Sequence, residues 1–252
     1  MKNKMYEIIW SGNKYTNSSG RDGFVPFVIV NHISASTMSS MDSWFTSSGN
    51  AVSSAHFGVS RKGELHQYVE IERFAWANGT SLSYMSKYPA QVWIDQKYTN
   101  ANYWTVSIEH EGTDGDLSEE QFQASVWLHQ YIRDYIVDKW GQECYFPLDD
   151  YHVIGHFQLH SWKEFCPGIM FPWARLYETF QKETQFEEED EMNKILDYDQ
   201  WAWDELDKYL GDAYNDQTIT DWKWVQAARD KTLVYKDLLL LKVLIDERRR
   251  DK

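Results

Sequence analysis

The sequence is short of cysteine, of positive charge and of long apolar runs, and each shortage removes a class of protein. Its 252 residues include two cysteines, Cys144 and Cys166. Two thiols are too few to staple a small scaffold, so a hydrophobic core must hold the chain together. Lys and Arg number 25 against 39 Asp and Glu, for a formal net charge of -14. A chain of that sign lacks the cations that neutralise phosphates and gains no long-range attraction to anionic lipid. Nucleic acid and membrane insertion are therefore not expected. No stretch approaches the ~20 apolar residues of a membrane helix, and the leucine run at 238–241 is far too short. The first twenty residues carry Lys2 and Lys4 but no apolar run of signal-peptide length and no A-x-A site. The expectation is a soluble chain of cytoplasmic origin without a signal peptide.

Aromatic residues, by contrast, are abundant: 13 Trp, 16 Tyr and 12 Phe. They can fill a core and still leave rings to line a groove. Strand patterns fall at 5–9, 27–33, 103–110 and 152–156, and the second is nearly continuous in apolar residues, as a buried central strand would be. Residues 55–61 and 64–70 flank Lys62-Gly63 and alternate in polarity, which reads as a hairpin. Helices are expected at 37–47, at 118–139 behind the capping sequence Ser118-Glu119-Glu120-Gln121, and at 171–182. Interleaved strands and helices imply an α/β class: a mixed central β-sheet flanked by helices over residues 1–182. An acidic run at 183–193 reads as a solvated linker. Residues 194–252 show only helical spacing, as in Trp203, Leu206 and Leu210, and read as a small C-terminal all-helical module. Leu238–Leu241 looks too apolar to be exposed, so burial against other helices or a second chain is expected, and with it a possible homo-oligomer. Trp201, Trp203, Trp222 and Trp224 suit either glycan stacking or a bundle core.

Three residues stand out chemically. His32 ends the strand pattern VIVNHI, and His156 ends VIGH. Ten residues beyond His156 comes Cys166, followed by the turn-forming Pro167-Gly168. Two strand-end histidines and a thiol can supply the three protein ligands of an open, catalytic zinc site. His160 leaves a closed structural site open as the alternative. Glu109 lies near a strand end in TVSIEHEG, where a carboxylate can serve as a general base or simply pair with a cation. Glu111 shares its strand face, whereas His110 points the other way and reads as structural.

The blocks NHISASTMSSMDSWF, SSAHFGVSRKGELHQYV, FAWANG, WTVSIEHEG and YHVIGHFQLHSWKEFCPG occur in this order. Together they closely resemble the type 2 N-acetylmuramoyl-L-alanine amidases, which include phage endolysins and peptidoglycan recognition proteins. The resemblance covers roughly residues 5–180. It implies a Zn2+ cofactor held by His32, His156 and Cys166, with Glu109 as base. It implies a peptidoglycan substrate cut at the amide between N-acetylmuramic acid and L-alanine. His56, Trp76 and Asn78 are expected to line the groove, with core packing as the alternative. Two positions depart from the family. Ala55 stands where some members carry a catalytic Tyr, which leaves the base role to Glu109. Glu164 stands where many carry a Lys two residues before the last ligand, and Lys163 is the remaining candidate to stabilise the oxyanion. The rival readings are a non-catalytic peptidoglycan-binding module of the same fold, and a structural zinc protein closed by His160. A wall-cutting enzyme without a signal peptide suggests a phage or prophage endolysin that reaches the wall by holin-type release. The C-terminal module is expected to bind cell wall or to oligomerise.

Overall fold

The run at 28–33, with Val28, Ile29, Val30 and Ile33 β-branched, becomes the strand on which the sheet is organised. The computed structural model describes residues 6–250, apart from the side chains of residues 183, 184 and 186–190. Among the described residues eight strands form: β1 (Ile8–Trp10), β2 (Ser18–Gly20), β3 (Val28–Ile33), β4 (Phe57–Val59), β5 (Leu65–Gln67), β6 (Arg73–Ala75), β7 (Thr105–His110) and β8 (Val153–Gly155). Six of them make one mixed sheet in the order β1-β5-β4-β7-β3-β8. Strand β3 is parallel to both β7 and β8, and the expected hairpin is the antiparallel β4–β5 pair. Gly63 turns that hairpin at φ +79°, where a Cβ would stand 2.8 Å from the Glu120 carbonyl oxygen. The strand expected at 5–9 starts at Ile8, and Met5 lies outside the described residues. The two-stranded sheet β2–β6 was not expected. Ser18-Ser19-Gly20 has little strand propensity, and long-range bonds hold it, including Arg73 Nε to Ser18 Oγ at 2.8 Å.

The helices are α1 (Met38–Phe45), α2 (Gln91–Asp95), α3 (Glu119–Trp140), α4 (Trp173–Asn193), α5 (Gln200–Asn215), α6 (Lys223–Arg229) and α7 (Tyr235–Arg250). Helix α3 starts where its cap predicts, with Ser118 Oγ accepting from Gln121 N–H, a contact worth ~1 kcal/mol. Its Phe122, Leu128, Ile132 and Ile136 pack with Ile29, Val106 and Ile108 in one core. A second core joins Val28 and Val30 to Trp93, Trp104 and Ile154. Strand alternation explains the split: Val28, Val30 and His32 share one side of β3, while Ile29, Asn31 and Ile33 share the other. Helix α4 does not stop near residue 182 but runs on through the acidic stretch. That stretch holds no Pro or Gly, and Glu, Gln and Met are good helix formers.

The chain divides after Gln181 into two compact units. The second has its own core of Trp203, Leu206, Leu210, Val225, Leu233, Leu241 and Ile245. The leucine run is not buried as a block. Leu241 and Ile245 point inward, whereas Leu239 and Leu240 are each 54% exposed. Four consecutive residues sweep around a helix, so only those about 3.6 apart can face one core. Trp203 is likewise buried, while Trp201 is 70% exposed.

Behind β3 lies a buried polar chain that was not expected. His110 Nδ1–H donates to the His32 carbonyl at 3.0 Å, and Ser125 Oγ lies 2.8 Å from His110 Nε2. His129 Nδ1–H donates to the Ser125 carbonyl at 2.7 Å, and Asn31 Nδ2 donates to His129 Nε2 at 3.1 Å. Both rings are thereby held neutral. Burial pushes His110 down to about 4 and His129 down to about 3. The unfolded chain takes up these protons near pH 6.5, so it binds more protons than the folded state below that value. Stability is therefore complete above ~6.5 and falls on acidification, by up to ~1.4 kcal/mol per pH unit for each histidine. Urea midpoints should be lower at about pH 5 than at about pH 7, and His129→Gln should shrink the difference. An unchanged pH dependence in that variant would exclude His129 as a source.

Candidate metal centre

The site stands at the carboxyl ends of β3, β7 and β8, where open α/β sheets commonly place their ligands. Parallel pairing sets His32 opposite Glu109 and Asn31 opposite Gly155, so His156 follows immediately beyond β8. The His32 and His156 rings lie 4.4 Å apart, centroid to centroid. Cys166 arrives from a loop: its N–H donates to the Lys163 carbonyl, and its carbonyl accepts from Phe157 N–H, both at 2.9 Å. Gly168 holds that loop against residues 114–115. Its φ is +117°, and a Cβ there would stand 2.2 Å from the Asp114 backbone. The donor atoms of His32, His156 and Cys166 all lie within 4.8 Å of one another.

The electrostatics suit a cation. His156 Nε2–H donates to the Asn78 carbonyl at 2.9 Å, which leaves Nδ1 as the free ring atom. Burial pushes His156 down to about 4 and His32 well below its usual value, so both rings are neutral, the ligating form. His32 Nε2 and Asn78 Oδ1 are each buried without a hydrogen bond of ordinary geometry. The Asn78 acceptor nonetheless favours a proton on the His32 ring, so the two form a loose pair. Cys166 Sγ accepts from Ile33 N–H at 3.4 Å. Burial first, then the Glu109 charge, pushes its thiol up to about 12, and a bound cation would reverse that. Glu109 is half-buried as a residue, but its Oε2 is enclosed and has no hydrogen-bond partner. Burial pushes its carboxyl up to about 7 against the opposing pull of Lys163.

These groups share a cleft of about 600 Å³ whose lining includes Trp44, Trp76, Asn78, Glu109, Lys163 and the three candidate ligands. Lys163 thus lines the cleft and Glu164 does not. His160 lines it too, but stands outside the three-residue cluster, with its Nδ1 accepting from Trp162 N–H at 3.2 Å. His56 is elsewhere. Its buried Nδ1 accepts from Ser107 N–H at 2.9 Å, and its Nε2–H donates to the Arg73 carbonyl at 3.0 Å. Arg21 Nη2 stands 3.0 Å from the same nitrogen, a contact between two donors. Ala55 belongs to the core, and Glu111 Oε2 accepts from Arg61 N–H at 2.8 Å. Asn78 is fully buried, and its N–H donates to Asn102 Oδ1 at 3.0 Å and its Nδ2 to Thr105 Oγ1 at 2.9 Å. It braces both histidines, which sequence reasoning had not assigned to it.

The profile of the N-acetylmuramoyl-L-alanine amidase family, Amidase_2, matches residues 21–169, a span that includes every residue of the cluster. The chain belongs to this family. Among curated proteins it is similar to 1,6-anhydro-N-acetylmuramyl-L-alanine amidase AmpD of Escherichia coli (strain K12), with 30% identity over 132 residues. The match takes in 52% of this chain and spans 60% of the length of that relative. Among solved structures, a selenomethionyl AmpD derivative matches 70% of this chain and 96% of its own, with a TM-score of 0.51 and 20% identity, a likeness of fold.

Asn78→Leu keeps the bulk and removes the side-chain acceptor and donor beside His32. Groups that orient ligands are worth ~10–100-fold in metal affinity, so chelator competition should show a loss of that order. Unchanged affinity would reduce Asn78 to a packing residue.

Proposed function

We propose that the chain is a zinc-dependent N-acetylmuramoyl-L-alanine amidase that hydrolyses the amide between N-acetylmuramic acid and L-alanine of peptidoglycan. The observation that carries this reading is the convergence of two neutral imidazoles and one thiol beside an enclosed, unpartnered carboxylate oxygen in an open cleft. Nitrogen and sulfur donors suit zinc, and three protein ligands leave a position for chemistry. His32, His156 and Cys166 would hold it. Bound there, zinc supplies an acidified water (pKa ~7) and a polarised carbonyl.

The chain's own groups do the rest. Glu109, with its carboxyl near neutrality, takes the proton from the attacking water and returns it to the alanine nitrogen as the amide breaks. Lys163 faces the cleft as a cation and offsets the charge that develops on the carbonyl oxygen. The brace behind β3 fixes His32 through its carbonyl, and Asn78 fixes His156 through its own. The reading extends to an endolysin of phage or prophage origin, acting on the wall after holin-type release. The pairing of an amidase-family unit with a separate helical unit supports it by analogy. In this reading residues 194–252, beyond the acidic stretch 183–193, attach the enzyme to the wall or to a second copy.

The zinc-loaded protein should release L-alanine amino termini from purified peptidoglycan, and a chelator should abolish the release. Glu109→Gln should lower kcat about 10²–10⁴-fold with zinc content kept. Cys166→Ala should lose both zinc and turnover, and full activity in that variant would overturn the zinc assignment. Zinc binding and peptidoglycan binding without turnover would instead make the chain a binding module. A chain ended at residue 182 should keep turnover on soluble fragments, and loss of wall sedimentation or a drop in oligomeric mass would assign the tail.

A further inference from the structure

The second unit holds a cavity of its own, of about 600 Å³, outside the span that the amidase family covers. It stands at the start of α5 and is lined by Asp197, Tyr198, Asp199, Trp201, Ala202 and Glu205. Two of these residues are aromatic, three are carboxylates and none is a cation. Helical spacing groups part of the lining, because residues 201, 202 and 205 fall on one face of α5. The Tyr198 ring is held against the core, 5.8 Å from the buried Trp203, centroid to centroid. Trp201 is 70% exposed, and among the described residues its Nε1 donates no hydrogen bond. The carboxylates are equally uncommitted. An N-cap Asp ordinarily accepts from an N–H of the first turn, yet Asp199 caps α5 without a side-chain bond. Among the described residues neither Asp197 nor Glu205 has an ion pair or a hydrogen bond through its carboxylate. The cations of neighbouring segments bond elsewhere: Arg229 pairs with Asp207, Lys194 with Glu191, and Lys231 donates to Gln200.

The lining defines its occupant by charge and by shape. Three carboxylates around one space repel an anion and one another, and a bound cation relieves that repulsion. A hard metal ion would use the oxygens but gain nothing from the two rings, and it is far smaller than the cavity. An ammonium group on a carbon frame uses both, with its charge on the carboxylates and its carbon surface on the indole and phenol. We propose that this cavity binds an organic ammonium group, primary or quaternary, carried on a sugar or alkyl frame. The site deepens the reading in which residues 194–252 attach the enzyme to the wall, and rests on that reading only for the source of the amine.

The test titrates the full-length, zinc-loaded protein with glucosamine, with choline, and with N-acetylglucosamine as a frame of the same kind without the charge. Indole N–H resonances and tryptophan fluorescence report binding. At least one of the two amines should saturate and shift a single indole signal, lost in Trp201→Leu, and N-acetylglucosamine should leave it unmoved. Affinity should fall as salt is raised. Trp201→Leu should weaken the amine about fivefold and Glu205→Gln about threefold, and Trp201→Phe should restore most of the loss. Both side chains lie at a cavity rather than in the core, and an unchanged melting temperature shows that each variant is folded. Failure of both amines to saturate, equal binding of N-acetylglucosamine, calcium binding in place of either amine, or a Trp201→Leu variant that binds as the parent does would each overturn the site. Purified walls should sediment the protein, and walls whose amines have been acetylated should not. Amine binding without sedimentation sinks the wall reading and leaves the cavity standing, and sedimentation without amine binding does the reverse.

Discussion

The parallel pairing of β3 with β7 is the constraint on which the site depends. It sets His32 beside Glu109 on one side of the sheet and commits the intervening side chains to the helix-covered core. A slip of one residue would carry His32 to the wrong side and put its neighbour in the cleft. Asn31 and His110 resist that slip, because each is bonded into the chain that runs through Ser125 and His129 of α3. A buried polar network of this kind adds little net stability when satisfied and costs much when broken, so it specifies register more than it adds strength.

A second fixed point is Arg21. Its guanidinium is buried and pushed down to about 9, chiefly by burial. It donates to the carbonyls of Ile71 and Tyr103 at 2.7 Å, Thr105 at 3.0 Å and Asn102 at 3.2 Å. One planar fork thus gathers the segment after β5 and the approach to β7, and Asn102, caught in that set, holds the backbone of Asn78. The segment that holds the Asn78 backbone is thus tied to a buried charge that stands one residue behind the cleft lining, since Asn102 itself lines the cleft.

Much of this was legible in the sequence, and for physical reasons. Strand β3 opens on the β-branched run Val28-Ile29-Val30, α3 carries its cap, and the hairpin carries its glycine; each is a local rule met locally. The cluster His32, His156 and Cys166 was legible because ordered blocks fixed their neighbourhood, and Lys163 rather than Glu164 at the cleft could only be decided by the loop's path. What escaped depends on distant partners. Nothing near Ser18-Ser19-Gly20 marks a strand until Arg73 is placed beside it. His56 read as a groove residue because its bonds to Ser107 and Arg73 are made by remote chain. The leucines of α7 divide because the helical sweep turns Leu241 to the core and leaves Leu239 and Leu240 outside, which composition alone does not distinguish.

The spread of the cluster along the chain has a kinetic side. Ile33 N–H and Cys166 Sγ are 133 residues apart in sequence, yet bonded. Contacts that close so long a loop are won late, after local turns and helices have formed. On a ribosome, His32 emerges long before its partners, and the nascent chain has no complete donor set until nearly the whole first unit has been made. The candidate donor set is therefore complete only in a chain that has been made past Cys166 and has closed that loop, so its three donors come together as one of the last acts of folding the first unit.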